Sequence, residues 1–235
     1  MEDGEGMLEI HSPVSPVVDI CFIHGLSGGR VSTWSKDGVF WPAQLLSKDI
    51  NDARILSWGY NADVSSFWNP ESSNKIEDHA RLLATELRSQ RSTPESTKRP
   101  IIFVTHSLGG IVCAYLNKES APLMIVGTLF PGWLRARKED PETEVHVMCF
   151  FEERATHIGK IVEKTSACIE GFEQLSLSDD HIGMCKFSRE DDNNYQRVMN
   201  ELRRWVEAIK AKGEKHVKDV RQIIPNIQTL SLTSR

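Results

Sequence analysis

The stretch PIIFVTHSLGGIVCAY, residues 100–115, places Ser107 between a short apolar run and a helical pattern. The apolar residues of 100–106 are continuous rather than alternating, which predicts a strand buried on both faces. In a tight strand-to-helix turn, a serine is lifted above the edge of the sheet and the next backbone N–H points toward the charge that develops there. The stretch therefore predicts a nucleophile elbow, with Ser107 as the nucleophile and the Leu108 N–H as an oxyanion donor.

The stretch departs at one position from the G-x-S-x-G pattern of such turns, because Thr105 replaces the first glycine. Another interpretation is an ordinary strand followed by a helix that Ser107 caps, since serine is a favoured N-cap residue. The strand–turn–helix context and the close packing that Gly109 and Gly110 allow favour the nucleophile.

Apolar runs alternate with helical patterns along the rest of the chain, which predicts an α/β fold: a mostly parallel, doubly wound sheet with helices on both faces. Besides 100–106, the predicted strands are residues 17–24, 53–60, 122–130, 145–151 and 172–177. Helical spacing of apolar residues predicts helices over 74–90 and 193–213, the second ending at Gly213. These elements predict a flexible N-terminal segment (1–16), one domain (17–212) and a polar C-terminal tail (213–235).

The composition excludes several classes of function. The 235 residues carry a net charge of −5 with dispersed Lys and Arg, so nucleic acid is not an expected partner. Five cysteines without C-x-x-C spacing indicate neither a disulfide framework nor a zinc site, and the sequence suggests no cofactor. The acidic N-terminus does not resemble a secretory signal, and no run reaches the about 18 apolar residues of a membrane-spanning helix. We therefore expect a soluble, intracellular, cytoplasmic protein.

A second motif supports a hydrolytic site. In CFIHGLSGG, residues 21–29, His-Gly follows an early buried strand, the position from which the other oxyanion donor comes in this kind of site. We assign that donor to the Leu26 N–H, with Ser27 less favoured. A phosphate-binding loop is excluded because no Gly-Lys-Ser/Thr follows and Arg30 stands where its lysine would be expected.

The base and the acid are expected downstream, in the chain order serine, acid, histidine. His181, in LSLSDDHIGMCKF, follows the last predicted strand and is the candidate base. Glu152 and Glu153 follow the strand 145–151 and are both candidate acids. His24 and His106 flank the site and are interpreted as structural residues of their motifs.

Together these residues resemble a known group of α/β-hydrolases, related to the serine active site-containing protein and to GPI inositol-deacylase. The group is common in fungi, where such domains often precede NACHT or ankyrin modules. The matching stretches are VDICFIHGLSGGRVSTW, FWPAQLLSKDINDARILSWGYNADV, PIIFVTHSLGGIVCAYL and the segment 159–205. The resemblance places Phe151-Glu152 on the family's acid motif, which makes Glu152 the preferred acid and Glu153 the alternative.

The resemblance implies a serine esterase or lipase that acts on small-molecule or lipid esters. It also implies peripheral membrane association, at mitochondria or the endoplasmic reticulum in some relatives. The family carries a long helical cap after the strand matched by 122–130, whereas only residues 130–143 stand here before the next strand. The cap is therefore predicted to be largely absent, and an alternative hypothesis is a non-catalytic interaction or sensing module that retains the fold.

Overall fold

The computed structural model describes residues 1–63, 72–116, 132–135, 137, 145–155, 169 and 171–231, with the backbone alone at 72–75 and 215–231. Its strands are β1 (Gly6–His11), β2 (Val18–Ile23), β3 (Ser35–Lys36), β4 (Val39–Phe40), β5 (Ala53–Gly59), β6 (Ile101–Thr105), β7 (Met148–Glu152) and β8 (Glu173–Leu177). Its α-helices are α1 (Ser47–Asp49), α2 (Ser72–Gln90), α3 (Pro94–Lys98), α4 (Leu108–Tyr115) and α5 (Asn193–Ser231). The predicted strand 122–130 and most of the shortened cap region 130–143 lie outside the described residues.

The main sheet has the strand order β1-β5-β2-β6. β2 pairs in parallel with β5 and β6, and β1 pairs antiparallel with β5. Every residue of β2 and β5 is buried, as their continuous apolar runs predict. Because Ile23 pairs with Thr105, β2 and β6 end together, and the loops that carry the two predicted motifs leave the same edge of the sheet.

Helices pack on both faces of this sheet, which makes the fold α/β. Successive side chains of a strand point to opposite faces, and β2 accordingly contributes to two separate clusters of buried apolar side chains. One cluster includes the apolar face of α5, and the other includes those of α2 and α4. The buried residues of α2 are Ile76, Ala80, Leu83 and Leu87, the face that the helical spacing predicts.

A second pair of strands carries the downstream candidates. β7 and β8 run parallel, and Glu152 at the end of β7 pairs with Leu177 at the end of β8. Both strands overlap the predicted ones, although β7 begins three residues later than the predicted strand 145–151 and includes Glu152. The loop after β8 therefore leaves beside Glu152, and this loop contains His181.

Two predicted boundaries differ from the structure. Residues 6–11 form β1 rather than part of a flexible segment, because their backbone pairs with the edge of β5 and the Arg30 guanidinium binds the carbonyls of Glu5 and Gly6. The predicted stop at Gly213 is also wrong, since α5 continues to Ser231. A glycine inside a helix costs only about 1 kcal/mol, which a long helix tolerates. Of the described helices, none is long and apolar enough to cross a membrane.

Candidate active site

Ser107 adopts a strained backbone conformation between β6 and α4. Its φ of 51° and ψ of −122° lie in a region that side chains other than glycine seldom occupy. Its side chain is exposed and makes no capping hydrogen bond to α4, so the interpretation of Ser107 as an ordinary helix cap is wrong. Leu108 is the first residue of α4, and its N–H therefore has no acceptor within the helix.

Glycines allow the close approach of backbone around this turn. A Cβ added at Gly25 would lie 2.7 Å from the Cβ of Ser107, and one at Gly109 would lie 2.4 Å from the carbonyl oxygen of Ile23. A Cβ at Gly110 would meet Thr105 Oγ1 at 3.3 Å. Thr105, which stands where the usual motif has glycine, thus lies beside a residue without a side chain, and a Cβ at position 110 would crowd its hydroxyl.

The loop after β2 leaves one predicted donor without an acceptor. The Ser27 N–H donates to the Ala62 carbonyl at 2.8 Å, and the Gly28 N–H donates to the Gly25 carbonyl at 3.1 Å. The N–H of Leu26 has no acceptor among the residues that the structure describes. This pattern favours Leu26 over Ser27 as the donor available to a bound ligand.

His181 and Glu152 form a close pair. Their Nδ1 and Oε2 atoms are 2.6 Å apart, and the side chains are 12% and 4% exposed, respectively. Because a carboxylate oxygen accepts, the proton lies on Nδ1, and Nε2 of the neutral ring keeps the lone pair that a general base needs. The structure thus brings together two candidates that are 29 positions apart in the chain.

Glu153 faces a different environment. It is exposed, and its Oε2 accepts a hydrogen bond from the Ser178 hydroxyl at 2.7 Å. Hydrogen bonds from the hydroxyls of Ser176 and Ser178 hold the pKa of this carboxyl below its usual value. Of the two glutamates, Glu152 is the one that contacts His181.

A turn organised by Asp180 presents His181. The Asp180 carboxylate accepts the N–H groups of Ile182 and Gly183 at 3.0 and 2.8 Å, and its carbonyl accepts the N–H of Met184 at 2.9 Å. Asp180 is not among the site residues that the sequence predicts. Aspartate followed closely by glycine is a recognised signal for such a turn.

The two histidines of the motifs are held by backbone groups. Buried His24 accepts the Tyr60 N–H at Nε2, at 3.2 Å, and its Nδ1 lies 2.9 Å from the Gly25 carbonyl oxygen. Nε2 of His106 lies 2.8 Å from the carbonyl oxygen of His181. Burial lowers the pKa of both rings, that of His106 to about 4. These contacts agree with the structural interpretation of both residues.

Ser107 is connected to His181 through its neighbour in the chain, His106. Among the described residues, no hydrogen bond joins the Ser107 hydroxyl to the His181 ring. The two are linked through His106, whose ring centroid lies 4.8 Å from that of His181. Hydrogen bonds of this kind are often long in sites without substrate and shorten when substrate binds.

The chain has only limited sequence similarity to known proteins. No protein-family model matches the chain. The chain is weakly similar to Protein SERAC1. The protein of that name from Danio rerio is 32% identical over 123 residues, which cover 44% of this chain and 18% of that protein. Those from Bos taurus and Homo sapiens are each 22% identical over 254 residues, covering 79% of this chain and 38% of theirs.

The chain thus spans well under half the length of these curated relatives. The matches agree with the resemblance to the serine active site-containing protein, while the resemblance to GPI inositol-deacylase stays a prediction. Among solved structures, the crystal structure of TT1662 from Thermus thermophilus is 14% identical with a TM-score of 0.43, covering 83% of this chain and 91% of that one. The α/β fold follows from the strands and helices of the chain itself.

Proposed function

We propose that the chain is a serine hydrolase that cleaves carboxylic esters through Ser107, His181 and Glu152. The observation that carries this proposal is the largely buried His181–Glu152 pair, with Nδ1 and Oε2 2.6 Å apart. An imidazole held in this way has a defined tautomer, and the carboxylate stabilises the imidazolium that forms when the ring takes a proton. The strained turn at Ser107 supports the same reaction, as do the N–H groups of Leu26 and Leu108, which have no acceptor among the residues that the structure describes.

In the first half of this mechanism, Ser107 Oγ attacks the ester carbonyl carbon and its proton passes to Nε2 of His181. The carbonyl oxygen becomes an oxyanion that accepts hydrogen bonds from Leu26 and Leu108. The bond to the alcohol then breaks, and His181 returns the proton to the departing alkoxide. The products of this half are an alcohol and an acyl ester of Ser107.

Water completes the cycle through the same groups. His181 removes a proton from the water, whose oxygen attacks the acyl carbon and regenerates an oxyanion. Collapse of this intermediate breaks the bond to Ser107 Oγ, which recovers its proton from His181. A carboxylic acid leaves, and the free enzyme is restored.

A fluorophosphonate probe tests the proposal directly, because it reacts much faster with an activated serine than with an ordinary hydroxyl group. We expect wild-type protein to be labelled and Ser107→Ala to be unlabelled, with hydrolysis of a p-nitrophenyl ester lowered by about 10⁴-fold or more. Ser178→Ala is a matched control, since this hydroxyl bonds the exposed Glu153. Well-folded wild-type protein that neither reacts with the probe nor hydrolyses esters would contradict the proposal.

A non-catalytic interaction or sensing module is the second candidate. The absence of a Ser107–His181 hydrogen bond among the described residues and the short sequence between 130 and 143 favour it. The probe separates the candidates, since a module of this kind would stay unlabelled while remaining folded. Retention of each predicted site group argues for the enzyme.

The resemblance extends the proposal to lipid esters and to peripheral membrane association. An acyl-length series of p-nitrophenyl esters would give a rising kcat/KM with chain length if the site accepts lipid acyl groups. Sedimentation with vesicles of phosphatidylcholine and anionic lipid tests association with a membrane surface. A flat acyl-length profile together with no sedimentation would restrict the proposal to small esters.

A further inference from the structure

His106 connects the turn that carries the nucleophile to the loop that carries the base. It directly precedes Ser107, and its Nε2 lies 2.8 Å from the backbone carbonyl oxygen of His181, 75 positions away in the chain. The two rings are also in contact, with centroids 4.8 Å apart. Neither the pairing of strands nor the proposed chemistry requires this contact.

The direction of the hydrogen bond follows from its partners. A carbonyl oxygen can only accept, so Nε2 of His106 carries the proton and donates. Burial lowers the pKa of His106 to about 4, and near neutral pH the ring therefore carries a single proton. That proton lies on Nε2, which makes this side chain a constant donor to the loop of His181.

The contact between His181 and Glu152 does not by itself fix the distance from His181 to Ser107. Glu152 ends β7 and His181 follows β8, so both belong to the second pair of strands. Ser107 follows β6 of the main sheet. The hydrogen bond from His106 runs between these two parts at the site itself.

We propose that His106 is a positioning residue that holds the backbone of His181 against the nucleophile turn, so that Nε2 of His181 and Oγ of Ser107 keep a reactive separation. This role rests on the proposed hydrolase function. His106 itself touches neither substrate nor the transferred proton. A misplacement of about 1 Å between reacting groups can lower a rate by roughly 100-fold, so one hydrogen bond at this position affects catalysis.

Two side-chain amides of different length test the proposal. His106→Gln keeps an N–H donor near the position of Nε2, whereas the shorter His106→Asn does not reach it. We expect kcat for a p-nitrophenyl ester to fall roughly 10- to 100-fold in His106→Asn with KM nearly unchanged, and to return to within about 5-fold of wild type in His106→Gln. Equal losses in the two variants, or no loss in His106→Asn, would overturn the proposal.

His11 provides a matched control elsewhere on the molecule. Its Nε2 lies 3.1 Å from the Asn51 carbonyl oxygen at an exposed position. His11→Asn removes the same kind of hydrogen bond at a distance from the site, and kcat should stay within about 2-fold of wild type. A loss in His11→Asn equal to that in His106→Asn would contradict a specific role for His106.

A spectroscopic measurement keeps the inference separate from the proposed function. In proton NMR, the Nδ1–H of His181 in its bond to Glu152 should give a resolved downfield resonance in wild type and His106→Gln, and a broadened one in His106→Asn. If wild-type protein hydrolyses no ester and binds no probe, the proposed function fails while this measurement still tests the positioning. An unchanged resonance in His106→Asn would overturn the inference even if the enzyme is active.

Discussion

One buried carboxylate lies near the amino end of β2 and another at the carboxyl end of β7, and the two have different partners. Near the amino end, Asp19 of β2 is fully buried, and its oxygens lie 2.8 Å from both Arg54 and Arg99 and 3.3 Å from Arg91. At the end of β7, Glu152 is 6% exposed and contacts the imidazole of His181. Burial of a charge is costly in both places and requires a partner.

The difference lies in what each partner can do. A guanidinium remains charged throughout the working pH range, and its planar fork binds both oxygens of a carboxylate, as Arg54 does with Asp19. An imidazole can be neutral or charged near neutral pH. The cluster around Asp19 is therefore a fixed electrostatic anchor, whereas the imidazole beside Glu152 is the kind of group that the proposed hydrolysis requires as a base.

The backbone is also strained near the proposed site and regular around Asp19. Ser107 has a positive φ at the carboxyl edge, next to glycines that admit no side chain. Around Asp19 the strands pair in regular parallel register. Strain of this kind is commonly found at functional sites, where the surrounding structure holds it in place.

The largest expected effect comes from changing the carboxylate at the proposed site. Glu152→Gln should lower kcat by about 10³- to 10⁴-fold, because the amide no longer stabilises the imidazolium or selects the tautomer of His181. Glu153→Gln, one position along the chain, should leave kcat within about 2-fold, since that side chain bonds Ser178 instead. Steady-state ester hydrolysis measures both, and similar losses in the two variants would remove the distinction between them.

Changing the other buried carboxylate should affect stability instead. Asp19→Ala leaves three guanidinium groups without their common partner and should lower the free energy of unfolding by about 3–5 kcal/mol. Glu9→Gln is the control, because Glu9 is 46% exposed and 4.0 Å from Arg54. Urea unfolding measures both changes. An Asp19→Ala protein of wild-type stability would show that the amino end is not an anchor.

Mild acid should destabilise the protein through buried His24 and partly buried His106. Burial lowers the pKa of His106 to about 4 in the folded protein, against about 6.5 in the unfolded chain. Between about pH 6.5 and pH 4, the unfolded chain therefore binds a proton at this ring while the folded protein does not. The free energy of unfolding should therefore decrease as pH falls through this window, by up to roughly 3 kcal/mol from His106, with His24 acting in the same direction. Urea unfolding across the window should show a shallower dependence on pH in His106→Gln, and an unchanged slope would be the contrary result.

The smallest expected effect concerns an exposed carboxylate. Asp3 Oδ1 accepts the N–H groups of Val31 and Ser32 at 2.8 and 3.1 Å, at the start of the short 3-10 helix Ser32–Trp34. Asp3→Ala should lower the free energy of unfolding by about 1 kcal/mol, as for loss of a helix cap, while Asp3→Asn keeps an acceptor and most of the stability. Thermal unfolding of the two variants measures the difference, and equal melting temperatures for them would exclude a capping role.

Local patterns in the sequence predict most of the described strands. β2 and β5 are buried on both faces, so an unbroken apolar run is enough to mark them. The apolar run of β6 also marks a strand, although among its residues only Ile102 is buried and Thr105 is exposed. β1 is harder to find because GMLEIH contains few β-branched residues and owes its strand form to the neighbouring edge of β5. The sequence also misplaces the end of α5, because Gly213 disfavours a helix without preventing it.

By itself, the sequence determined the strand-to-helix turn at Ser107 and the positions of His181 and the two glutamates, because motif spacing and periodicity are properties of neighbouring residues. The residues themselves left Glu152 and Glu153 as alternatives and only the resemblance preferred Glu152, whereas the tertiary structure decides that Glu152 contacts His181 and that His106 reaches the carbonyl of His181. Successive residues at the end of a strand point in opposite directions, so which glutamate faces the histidine depends on the packing of separate segments. The partners in the first contact are 29 residues apart in the chain and those in the second are 75 apart, so both contacts form only when the chain folds.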